Sequence, residues 1–75
     1  MTNPNIEHIA VESSNLKSLT YNHDAETLMI EFKYNDKVYC YSGVTSDTID
    51  DLKDAPSQGS FVAKHIKNVY DYEVV

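Results

Sequence analysis

Apolar and polar residues alternate most clearly where Leu28, Ile30 and Phe32 are interleaved with Met29, Glu31 and Lys33. Period two over six residues predicts a half-buried antiparallel strand. Asn35 and Asp36 close a turn, and Val38-Tyr39-Cys40-Tyr41 returns as the next strand. The same period puts Tyr39 and Tyr41 on one face and Val38 and Cys40 on the other. Upstream, Leu19 and Tyr21 mark a strand over residues 16–21, and Asn22-His23-Asp24-Ala25 reads as its hairpin turn. An earlier extended segment begins at Ile9 and Val11 and stops at Ser13-Ser14-Asn15. Residues 1–8 are expected to be a flexible start and residues 9–75 one domain.

After residue 44 the period changes. Thr45 and Ser46 are N-cap residues, Asp47 suits the positive end of a helix dipole, and Ile49, Leu52 and Ala55 follow at helical spacing until Pro56. Ser57 caps a second helix with an apolar stripe of Phe61, Val62, Ile66 and Val69. Alternation returns at residues 70–74 and predicts a final strand. The fold class is α+β: an antiparallel meander of about four strands, two C-terminal helices packed on one face, and a short closing strand.

These residues resemble the KTSC domain family, named for a C-terminal extension of some lysyl-tRNA synthetases. The resemblance rests on the Leu28-to-Phe32 strand, the central Tyr39-Cys40-Tyr41, and a block formed by Ala55, Ser57, Gly59 and Phe61. It continues through His65-Ile66 to Tyr70 and Tyr72, with Ser13-Ser14-Asn15 at the front. It implies a small stand-alone bacterial or phage domain, with RNA binding suggested by the synthetase context. The chain departs from the family pattern at Gln58 and Ser60, where relatives often carry a cation, and at Cys40, Thr45 and Asp71. Residues 34–37 make a hairpin one residue longer than usual.

Size and charge narrow the function. Seventy-five residues leave little room for a deep, water-excluded site. Any sizeable cavity is expected between subunits, which makes a homo-oligomer the expected state. Twelve acidic residues against six lysines, with no arginine, give a net charge of −6. That charge opposes non-specific duplex binding, and the bidentate fork that reads phosphates and guanine edges is missing. The lone Cys40 makes no internal disulfide and fits a reducing cytoplasm. No segment has the length or apolarity of a membrane span, and no cofactor is implied.

Two places carry candidate chemistry. Tyr39 and Tyr41 could stack on the ring of a base, or could be core residues with hydroxyls at the rim. Ser57, Gly59 and Ser60 open the last helix, where free N–H groups can hold an anion; Phe61, Lys64 and Lys67 lie within reach of it. The competing reading there is an ordinary capped helix. His8, His23, His65 and Cys40 lack metal-site spacing; His65, four residues after Phe61, reads as a partly buried packing residue, and Cys40 between tyrosines reads as packing rather than as a nucleophile. Met29, Val38 and Cys40 form an apolar strip suited to a homodimer seam, while Asp47, Asp50, Asp51 and Asp54 read as a solvated helix face.

The expected function is a non-catalytic binding module for a nucleotide or single-stranded RNA. The alternative is a phage-type inhibitor that sequesters a signalling nucleotide or a host protein.

Overall fold

The computed structural model describes residues 5–11, 14–67 and 69–75. Strands β1 (Ile6–Ile9), β2 (Leu16–Asn22), β3 (Thr27–Phe32) and β4 (Val38–Ser42) are followed by helices α1 (Ser46–Asp54) and α2 (Gln58–His65), and then by β5 (Tyr72–Val74). The five strands form one antiparallel sheet in sequence order, so the meander and the closing strand follow the hydrophobic pattern.

Register sets what each face carries. Ile9, Leu19, Ile30 and Tyr39 lie in one row across β1 to β4, and Tyr21, Leu28, Tyr41 and Tyr72 in the next. These residues share the inner face. Ile9, Leu19, Tyr21, Leu28, Ile30 and Tyr41 form a single buried cluster with Ile49 and Leu52 of α1, Val62 of α2, and Ile66. The helices therefore cover the inner face, a choice that strand periodicity alone leaves open. The outer face carries His8, Thr20, Met29, Cys40 and Glu73 in one row and Glu31 opposite Val38 in another.

Local chemistry explains the boundaries. Gly43 ends β4 at φ +75, a left-handed conformation that only glycine adopts without strain. The next residue, Val44, is buried and accepts a hydrogen bond from the Tyr21 hydroxyl at 2.6 Å, tying the first turn after the sheet to β2. Burial, ahead of the charges of Glu26 and Tyr70, pushes the Tyr21 phenol above its ordinary range, so it stays a donor. Thr45 caps α1 by accepting from the Thr48 amide, and Ser57 caps α2 by accepting from the Ser60 amide. Both caps match the sequence reading.

Three expectations change. The first strand starts at Ile6, ahead of the Ile9 start expected from the sequence. Ile6 and Ile9 fall on opposite faces, so β1 shows no alternation, and pairing with β2 defines it instead. Residues 1–4 and Ser13 lie outside the described residues. The α2 stripe ends at Ile66: Lys67 donates back to the Val62 carbonyl, and Val69 and Tyr70 both donate to Ile66, which folds the chain into a turn. Val69 is thus 62% exposed rather than on the apolar stripe. His65, expected to be partly buried, is exposed and lies against the Phe61 ring at 4.7 Å.

Glu7 anchors β1 to its neighbours. Its carboxylate pairs with Lys53 of α1 and lies 2.9 Å from His23 Nε2 in the β2–β3 turn. Lys53 first, and then His23, holds the Glu7 carboxyl below its usual range. A lowered folded pKa means the contribution is present above the unfolded carboxylate pKa and fades as pH falls through the folded one. Glu7→Gln should therefore lower the urea midpoint at pH 7, with the gap to the parent shrinking as pH falls below the ordinary carboxylate range. The loss should stay below about 1 kcal/mol, because the Glu7 and Lys53 side chains are 33% and 38% exposed and water screens the pair.

Candidate functional site

Aromatic rings gather on the inner face toward the sheet's β4–β5 end. Alternate positions on β3 and β4 bring Phe32, Tyr39 and Tyr41 to the inner face, and β5 adds Tyr72 beside Tyr41. Tyr34, just after β3, lies over Phe32 with centroids 5.1 Å apart and planes 27° from parallel. Tyr39 meets Phe32 edge-on at 5.3 Å. Tyr72 lies tilted against both strand tyrosines, 5.6 Å from Tyr39 and 5.3 Å from Tyr41.

The rings and Lys67 line one open hollow of about 280 Å³. Lys67 Nζ sits 5.3 Å from the Phe32 ring centre, within cation–π reach. Tyr41 is the buried floor, 2% exposed, whereas Tyr39 is half-buried and Tyr72 is 52% exposed. Burial raises the Tyr41 phenol, and the neighbouring Tyr72, Tyr39 and Tyr34 add to that shift. The hollow therefore offers a neutral phenol at its floor, open ring faces and one cation. A planar ring can stack there, and an anion attached to it can meet Lys67.

The eight site residues expected from sequence do not form one wall. Tyr39, Tyr41 and Lys67 line the aromatic hollow. Ser57, Ser60, Phe61 and Lys64 line a separate depression of about 300 Å³ with Ala55, Pro56 and His65, and the two share no lining residue. Gly59 lines neither. The Ser57 hydroxyl is engaged by the Ser60 amide as the α2 cap, so the helix start is first of all a capped end. Of the sequence alternatives for the tyrosines, Tyr41 follows the core reading, while Tyr39 stays open to a ligand.

Phe32, Tyr34 and Tyr72 were not among the expected site residues. The available signal was the second Tyr-x-Tyr, Tyr70 and Tyr72, echoing the first; only the pairing of β5 with β4 shows which rings meet.

Other candidates take structural places. Asp47, Asp50, Asp51 and Asp54 are all exposed along α1. Cys40 is a half-buried free thiol facing outward, opposite Met29. Among the described residues no three His, Cys, Asp or Glu side chains are grouped as a metal site would require, and no helix is long and apolar enough to cross a membrane.

Comparison with known proteins gives one consistent result. The family model described as KTSC domain matches residues 12–70. The crystal structure of a KTSC domain protein from Yersinia pestis superposes with a TM-score of 0.84 at 27% identity, covering 93% of this chain and 97% of that one. No curated protein matches.

Proposed function

The chain belongs to the KTSC domain family, and from that premise we propose that it is a non-catalytic binding module whose aromatic hollow holds one base of a single-stranded RNA. The observation that carries this reading is the convergence of Phe32, Tyr34, Tyr39 and Tyr72 around a single cation, Lys67. Base stacking tolerates any sequence because every base has a π face, and each stacked base is worth about 1–3 kcal/mol.

Size favours a base within a strand over a whole free nucleotide. At about 280 Å³ the hollow falls just below the range of roughly 300–1,000 Å³ that encloses most of a small ligand. It takes a ring and leaves ribose and phosphates outside. Sequestering a signalling nucleotide needs further walls, so that reading is the weaker one for a single copy.

The net charge of −6 works against a polyanion, so affinity must come from stacking plus the local cation. The test is titration of the protein with a short single-stranded RNA at two salt concentrations, followed by tyrosine fluorescence. Saturable binding should appear at low salt, with log K falling by about 0.7 per tenfold salt, the slope of one phosphate contact on a single strand. Absence of binding at low salt would remove RNA as the ligand.

A further inference from the structure

The exposed apolar side chains are concentrated at one edge of the sheet. Tyr72, Val74 and Val75 are 52%, 50% and 68% exposed on or just after β5, and Tyr34, 63% exposed, shares the adjoining hollow. β5 is an edge strand. It carries neither the lysine nor the proline that commonly blunt such edges; Glu73 is its only charge.

Hydrogen bonding shows what that edge offers. The Asp71 carbonyl accepts from the Ser42 amide, and the Val75 amide donates to the Val38 carbonyl, so residues 71 and 75 turn their polar groups toward β4. Antiparallel pairing alternates, so the N–H and C=O groups of Tyr72 and Val74 point away from the sheet.

We propose that β5 pairs antiparallel with β5 of a second copy, centred on Glu73. In that register Tyr72 stands opposite the partner's Val74, and every outward N–H and C=O of residues 72 and 74 finds a mate. Registers centred on Tyr72 or on Val74 leave half of them unpaired. The side chains of both pairs lie on the inner face, where aromatic–β-branched pairs are favourable across strands. The partner's Val74 then stands beside Tyr72, one of the residues that line the aromatic hollow.

The outer face is a poorer seam than the strip Met29, Val38 and Cys40 implies. Ser18 and Lys17 both engage Glu31, and Thr20 meets His8, so polar groups interrupt the strip.

One feature opposes the pairing. Glu73 faces the partner's Glu73 on the outer side, and like charges directly opposite weaken strand pairing. Glu73→Gln should tighten association about two- to fivefold. The contact is small, well short of the roughly 1,200 Å² typical of stable complexes, so the dimer should form and dissociate between about 20 µM and 1 mM.

Sedimentation equilibrium over that range is the test. The parent should shift from monomer toward dimer. Val74→Pro should remain monomeric with an unchanged thermal midpoint, because the Val74 amide makes no bond to β4 and an edge strand accommodates proline. A parent that stays monomeric throughout, or a Val74→Pro variant that associates like the parent, overturns the proposal. Should Val74→Pro fail to fold, Glu73→Gln decides: unchanged association overturns the pairing. The test needs no ligand, so failure here leaves the RNA reading standing, and failure of RNA binding leaves this one standing.

Discussion

Replacing Ile30 with alanine should cost about 2–5 kcal/mol and lower the thermal midpoint by roughly 10 °C or more. Ile30 lies on the central strand, is fully buried, and pairs with Leu19 on one side and Tyr39 on the other. Its side chain belongs to the one cluster that joins sheet and helices, so the cavity left behind has few ways to collapse. At about 0.05–0.15 kcal/mol per residue, a chain this short holds only some 4–11 kcal/mol in all. The loss is therefore a large share of the total. Met29, one residue earlier, points outward and is 40% exposed, so Met29→Ala should change stability by about 0.5 kcal/mol or less. Thermal or urea unfolding of the pair checks which face the helices cover. A larger loss at Met29 than at Ile30 would mean the inner and outer faces have been misassigned.

The second large effect concerns binding. Tyr72→Ala should weaken single-stranded RNA about five- to a hundredfold, the loss of one stacked base. Tyr72 suits the test because it is half-exposed on a three-residue strand, and its removal leaves the buried cluster intact. Tyr72→Phe should bind nearly as well as the parent, since stacking uses the ring and not the hydroxyl. Tyr39→Ala should weaken binding to a similar degree, with some loss of stability because its ring also packs on Phe32. Lys67→Ala should flatten the salt dependence, removing the one phosphate contact. Ser60→Ala and Lys64→Ala, in the depression at the start of α2, should leave affinity unchanged. Equal losses at Tyr72 and Lys64 would point instead to a surface spread over both places.

Much of the architecture was legible because short-range signals agreed with one another. β3 announced itself by strict alternation. The parity of Tyr39 and Tyr41 followed from their spacing, and Thr45 and Ser57 marked the two helix starts that the structure shows. β1 was less legible because Ile6 and Ile9 face opposite sides and Glu7, on the inner face, is polar yet satisfied by Lys53. Val69 looked like a helical position because it continues the spacing of Val62 and Ile66, but the backbone turns at Ile66 and puts it in water.

The candidate site depended on a contact that no local pattern encodes. Lys67, just after α2, reaches Phe32 on β3, and Tyr72 arrives from the far end of the chain. Sequence reasoning placed Lys67 with the serines near it in the chain. Packing placed it with the rings.

The most direct test of that placement is residue-resolved NMR of the protein titrated with a short single-stranded RNA at low salt. Shift changes should concentrate on Phe32, Tyr34, Tyr39, Tyr41, Lys67 and Tyr72, with residues 57–64 silent. Changes confined to residues 57–64, or none anywhere, would contradict the assignment of the aromatic hollow as the binding site.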